Sequence, residues 1–363
     1  MKTTIRVGAL VAASALALAA CASAPEDETS DTPTAAATDS SAPAAEPVDF
    51  MACMVSDAGG FDDKSFNQSA YEGLERAVDE LGITKAQAES SSDSDYGPNL
   101  EAQVAAGCDL IITVGFLLSQ ATVESALQNP DVHYAIIDDL ADNDFDGNID
   151  APNIKPITFE TDEAAFLAGY AAASATTTGT VGTFGGMDIP SVTIFMDGYN
   201  AGVEYFNEQN GGDVSVLGMD AFSGNFDDQP AGKNLAQGQL DQGADIIMPV
   251  AGPVGLGAAS AIQSAGDSWL IGVDSDWTAT APEYADIVFT SVLKNIANSV
   301  FDTIDSTITD GFSADPYVGT LENEGVGVAD FAEGTVSDDV VTQLDEIKAG
   351  IIAGDIEASG AAE

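Results

Sequence analysis

The chain has one histidine, His133, and only nine lysines and arginines against 60 aspartates and glutamates, in 363 residues. A lone imidazole at the start of a strand-like run leaves no histidine metal set and no nucleophile–base relay. The scarcity of positive charge, a formal net −51, disfavours nucleic acid and anionic lipid surfaces as partners, because both would be repelled. For a small ligand it argues against a free polyanion and leaves neutral or cationic molecules. The acids are scattered, as in a solvated surface suited to high salt, where screening acts within about 3 Å at 1 M.

Cysteine is almost as rare, with three residues and no metal-type pair. Cys53 falls in the first strand-like run and Cys108 just before the third. These strands should be neighbours in a 2-1-3 order, so a disulfide is conceivable, but buried free thiols are the expected state. Beyond the N-terminus no stretch approaches the length of a membrane span.

What is present begins with Met-Lys-Thr-Thr-Ile-Arg, an apolar run from Val7 to Ala20, and Leu18-Ala-Ala-Cys21. A charged start, a short apolar region and small residues before cysteine match a lipoprotein signal, which predicts cleavage before Cys21 and lipid on its sulfur. Residues 22–47 are rich in Ala, Ser, Thr, Pro, Asp and Glu without an apolar period, and predict a disordered tether. The folded part should begin near Val48.

From there short apolar runs alternate with helical patterns. Strands are expected at Phe50–Ser56, Asp109–Gly115, His133–Asp138, Ile154–Phe159, Thr180–Gly185, Val214–Ala221, Asp245–Ala251, Trp269–Val273 and Ile287–Leu293, and helices at 66–81, 99–106, 119–128, 162–176, 192–209, 231–242, 255–265, 295–309 and 338–354. The alternation predicts parallel α/β sheets covered on both faces. So many strands exceed one lobe, and the pattern restarts near Ile157. We expect two doubly wound, Rossmann-like lobes with a ligand cleft between them. The first should hold 48–157 plus about 277–310, and the second 158–276 plus about 311–335. A C-terminal helix over 337–355 has no assigned lobe.

The most informative segment is Asp57-Ala-Gly-Gly-Phe-Asp-Asp-Lys-Ser-Phe-Asn-Gln-Ser-Ala-Tyr-Glu-Gly73. It joins a buried strand to a helix through a glycine loop, where α/β proteins hold ligands. Ser65 and Gln68 have the spacing of a capping box. That puts Phe66 and Asn67 on the first turn, beside Asp57, Asp62, Asp63 and Lys64, a setting for a flat ligand that needs hydrogen bonds. The alternative is a plain strand–turn–helix with Phe66 in the core.

Further segments follow in order: Asp109-Leu-Ile-Ile-Thr-Val-Gly-Phe116, Ala135-Ile-Ile-Asp138, Ala165-Phe-Leu-Ala-Gly-Tyr170, Gly185-Gly-Met-Asp-Ile-Pro190, Gly272-Val-Asp-Ser-Asp276 and Thr290-Ser-Val-Leu-Lys294. Together they resemble the basic membrane protein (BMP) family of lipoproteins, over about 49–355. The resemblance implies a type I periplasmic-binding-protein architecture and the extracytoplasmic substrate-binding subunit of an ABC importer, usually one that captures nucleosides, purines favoured. It implies no catalysis and no cofactor. The partners would be a nucleoside, a membrane permease and, through lipid, the cell membrane; the chain would act as a monomer. Carried over by position, the resemblance puts Phe66 on one face of a base, with Phe226 our candidate for the other. Asp138 accepts from a base N–H, Asp274 holds the ribose hydroxyls, and Lys294 is its partner there. Asp57, Asn67 and Gly252 are further polar contacts. Trp277 departs from the glutamine the family more often carries, at what should be the site's rim. A ligand sensor, or a nucleoside hydrolase using calcium, remains as an alternative.

The calcium would come from Asp142-Asn-Asp144-Phe-Asp146-Gly147-Asn-Ile149-Asp150, which has acids at positions 1, 3, 5 and 9 and glycine at 6 of a calcium-type loop. Position 12 is Asn153 instead of glutamate, and no flanking helices are expected, so a solvated acidic turn is the competing reading.

Overall fold

The computed structural model describes residues 48–359. The signal, Cys21 and the tether lie outside them. The elements in chain order are β1 (Met51–Ser56), α1 (Phe66–Leu81), β2 (Thr84–Ala88), α2 (Asp93–Ala106), β3 (Leu110–Val114), α3 (Ser119–Gln128), β4 (His133–Ile137), β5 (Ile154–Phe159), α4 (Thr161–Ala175), β6 (Thr180–Gly185), α5 (Pro190–Asn210), β7 (Ser215–Leu217), α6 (Gln229–Leu240), β8 (Ile246–Val250), α7 (Val254–Ala265), β9 (Trp269–Asp274), a one-turn α8 (Trp277–Thr280), β10 (Val288–Lys294), α9 (Ile296–Thr309), β11 (Tyr317–Gly319), β12 (Val326–Val328) and α10 (Asp338–Ile352). All nine expected strands form. The three additional ones, β2, β11 and β12, are short and lack the apolar run that marks a buried strand. α2 starts at Asp93 instead of residue 99, because the Asp95 carboxylate accepts the Ser92 N–H and starts the helix ahead of Pro98.

The strands form two six-stranded sheets, ordered β2-β1-β3-β4-β5-β11 and β7-β6-β8-β9-β10-β12. Each sheet is one doubly wound lobe, and each position in the first has a counterpart in the second. All pairings are parallel except β10 with β12. The central strands are buried, as strands covered on both faces must be.

The distribution of the last third differs from the expectation. β10 pairs with β9 in the second sheet instead of joining the first. β11 pairs with β5 in the first sheet instead of joining the second. α9 does reach the first lobe, because Gly73 of α1 lets it come close: a Cβ there would lie 2.4 Å from the Ala297 carbonyl oxygen. The chain thus crosses after β5, after β10 and between β11 and β12. Periodicity marks where a strand lies, whereas its sheet is chosen by edge pairing remote in sequence.

Cys53 and Cys108 form a disulfide, with Cα atoms 5.9 Å apart, instead of two free thiols. β1 and β3 are adjacent, which brings the turn before β3 beside Cys53.

Candidate ligand-binding site

Parallel strands deliver their C-terminal ends to one edge of a sheet, and the two lobes turn these edges toward each other. Between them lies a narrow cleft. Asp57, Phe66, Asn67 and Asp138 line it from the first lobe, and Phe226, Gly252, Asp274 and Lys294 from the second. Asp138 directly follows β4, Asp274 ends β9, and these two strands hold equivalent places in their sheets. Both aspartates have left-handed backbones, φ 68° and 67°, a conformation that costs free energy in a non-glycine residue and concentrates at functional sites.

Local hydrogen bonds aim the first-lobe groups. The capping box does not form. Asp63 caps α1 instead: one carboxylate oxygen accepts the N–H groups of Ser65 and Gln68, the other that of Asn67 at 2.8 Å. Asp63 competes better because its two carboxylate oxygens together accept several N–H bonds at the helix N-terminus. Ser65 is left to span the lobes, its hydroxyl donating to Asp274 Oδ2 at 2.6 Å. Asn67 Nδ2 donates to Asp57 at 2.9 Å and Asp63 at 3.2 Å, whereas Asn67 Oδ1 is buried without a partner.

Lys294, the expected partner of Asp274, offsets its charge but makes its direct ion pair elsewhere. Its ammonium bonds Asp138 across the lobes and lies 4.8, 5.2 and 5.6 Å from the ring centres of Phe66, Phe159 and Phe195. A cation enclosed by ring faces is favourably placed, and it reaches Asp274 only through its field. Trp277 is not at the rim. It is buried in the second lobe, with Nε1 donating to the Val273 carbonyl and its ring packed on Gly255 and Gly272.

The cleft holds more buried acid than one lysine can balance. Burial raises the carboxyls of Asp63, Asp138 and Asp274, with Lys294 opposing this at the last two. Asp57 is pushed from 3.8 to about 8, chiefly by burial and then by its acidic neighbours, against the Asn67 hydrogen bond. The folded state therefore holds this proton more tightly than the unfolded chain, and stability falls as pH rises from about 4 to about 8. Asp57→Asn should remove that loss, with a melting-temperature gain over wild type that is small at pH 4.5 and several degrees at pH 8.5. Parallel pH profiles for the two proteins would contradict a buried, proton-holding Asp57.

Of the calcium-type loop, Asp142, Asp144 and Asp146 have carboxylate oxygens within 4.8 Å of one another. Asp150 does not join them; it accepts the Asn143 N–H at 2.8 Å. Asn153, the twelfth position, is turned inward and donates to the carbonyls of Ala126, Asn129 and Val132. Among the described residues the loop brings together three acids, Asp142 half-buried and Asp144 and Asp146 exposed.

Residues 50–360 match the family described as ABC transporter substrate-binding protein, PnrA-like. The chain belongs to this family. It is 39% identical to basic membrane protein A of Borreliella burgdorferi over 243 residues, 67% of this chain and 68% of that one. It is 32% identical to the ABC transporter nucleoside-binding protein BmpA of Lactococcus lactis subsp. cremoris over 323 residues, 84% of this chain and 88% of that one. Among solved structures it resembles an ABC transporter solute-binding protein from Aeropyrum pernix K1, with 27% identity, a TM-score of 0.75 and coverage of 85% of this chain and 92% of that one. The two lobes are thus a type I periplasmic-binding-protein fold. Family membership makes the chain the extracytoplasmic, membrane-held solute-binding subunit of an ABC importer, a carrier that works with a permease and not a catalyst.

Sequence reasoning did not single out Ser65 as a contact between lobes, nor Phe195, which projects from the second turn of α5 into the cleft. The serine was disguised by its capping spacing, and Phe195 by an apolar helix face that reads as core.

Proposed function

We propose that the cleft captures a nucleoside, purines favoured, and that closure of the lobes over it prepares it for the permease. The observation that carries this reading is the pairing of aromatic walls, Phe66 and Phe226 from opposite lobes, with an excess of buried acceptors: Asp138, Asp274 and the unpartnered Asn67 Oδ1. A flat base with N–H donors, joined to a sugar diol, supplies what those groups lack. Phe66 and Phe226 stack on the base, Asp138 and Asn67 accept from its edge, Asp57 and Gly252 complete the polar contacts, and Asp274 accepts from the ribose. The nucleoside-binding relative from Lactococcus supports the same assignment.

Asp274 sets the sharpest test. Charge-assisted hydrogen bonds contribute about 1.5–3 kcal/mol each, and a missing hydroxyl leaves a desolvated carboxylate without its donor. Guanosine should therefore bind at least about tenfold more tightly than 2′-deoxyguanosine. Asp274→Ala should weaken guanosine strongly and narrow the gap, whereas Phe66→Ala should weaken both alike, because stacking does not involve the sugar. Calorimetry measures all three. Equal affinities together with a harmless Asp274→Ala would remove Asp274 from the site, and binding of hexoses but of no nucleoside would overturn the whole reading.

A further inference from the structure

Beside the cleft lies a second, solvent-open cavity, also walled by both lobes. The first turns of α5 divide the two. Val192 and Phe195 line the cleft only, Pro190 and Ile194 the second cavity only, and Ser191 both. The Asp138–Lys294 pair and Phe116 are likewise common to both and form the boundary between them.

Away from that boundary the walls are largely apolar. Ile194, Phe159, Leu140 and Phe145 line it together, the last two 56% and 88% exposed. Large apolar side chains left this open gain by being covered. The charge around the cavity selects what could cover them. A charged appendage such as a phosphate would meet Asp139, Asp142 and Glu160 at the same cavity and be repelled. A neutral apolar group would not.

We propose that the second cavity receives an apolar substituent carried on the exocyclic amine of the base, so that the protein accepts N-alkylated or N-arylated purine nucleosides as well as plain ones. The proposal rests on the nucleoside reading of the cleft. In that reading the base edge meets Asp138. A secondary amine keeps one N–H for this carboxylate, while its substituent passes beside the Asp138–Lys294 pair toward Ile194 and Phe145.

The test compares adenosine, N6-benzyladenosine and 5′-O-benzyladenosine by calorimetry on wild type and Ile194→Trp. Ile194 lines the second cavity and not the cleft, so the tryptophan fills that space alone. Wild type should bind N6-benzyladenosine at least as tightly as adenosine. Ile194→Trp should weaken N6-benzyladenosine about tenfold or more and leave adenosine within about threefold, which also shows that the variant is folded. Wild type that binds adenosine but rejects the N6-benzyl compound overturns the proposal and leaves the nucleoside reading standing. So does preference for the 5′-benzyl compound over the N6-benzyl one, or indifference of the N6-benzyl compound to Ile194→Trp. Failure of every nucleoside to bind overturns both.

Discussion

Lys294→Met should lower the stability of the folded chain by about 3–5 kcal/mol at pH 7, the cost of leaving a buried charge without its partner. The lysine is 5% exposed, and its pairing with Asp138 is the only ion pair between the lobes among the described residues. Its removal strands Asp138 among Asp57, Asp63 and Asp274. The loss carries a pH signature. Burial already raises the Asp138 carboxyl and Lys294 lowers it, so without the lysine the folded state holds the Asp138 proton still more tightly than the unfolded chain. The variant's deficit should therefore grow as pH climbs above the ordinary carboxylate range and shrink as pH falls through about 4 toward 3, where the unfolded chain is protonated as well. Adding Asp138→Asn to Lys294→Met should restore most of the stability. Denaturant unfolding of the three proteins across pH decides it: a deficit constant from pH 4 to 8, or no rescue by the second substitution, would show that the pair does not hold the lobes as argued.

Replacing both Cys53 and Cys108 by alanine should cost about 4 kcal/mol through the lost constraint on the unfolded chain. The bridge closes a separation of 55 residues and ties β1 to the turn that enters β3, at the centre of the first sheet. Both sulfurs are buried, so the substitutions also remove packed volume, in the same direction. The extracytoplasmic side is where such a bond persists. A fall in melting temperature on the order of 10 °C is expected. Alkylation of the denatured, unreduced protein should label neither position; labelled Cys53 and Cys108 peptides in its digest would refute the bridge.

The acidic excess connects these results to transport. Most of the 60 carboxylates are surface groups whose mutual repulsion salt screens. The cleft carboxylates are shielded from solvent, so their charge is managed locally, by Lys294, by Ser65 and by the proton on Asp57. In the proposed reading, a ligand bearing donors takes over part of that task on entering. Because Ser65 and Asp138 belong to one lobe, and Asp274 and Lys294 to the other, whatever bonds to these four groups also bears on closure.

Much of this was legible along the chain. An apolar run ending in aspartate marks a buried parallel strand with a polar group at its C-terminal edge, and the family resemblance singled out Asp138 and Asp274 among such strand ends. The glycine loop from Asp57 placed Phe66 and Asn67 on a helix's first turn. Such inferences hold because strand and helix periods are local: a side chain's direction follows from its neighbours within a few residues. What local pattern could not decide was partnership. Lys294 had four buried carboxylates to choose from, Ser65 could cap its own helix or reach the other lobe, and β10 could join either sheet. In each case the choice depended on which groups, 100 to 200 residues apart, came within about 3 Å of each other. Composition and periodicity by themselves determined the α/β class, the two-lobed layout and the edge of each sheet that bears the site. Tertiary structure alone decided the lobe crossings, the Cys53–Cys108 bond and the Asp138–Lys294 pair, because sheet pairing, disulfide geometry and the desolvation of charge depend on the distance between atoms and not on their separation along the chain.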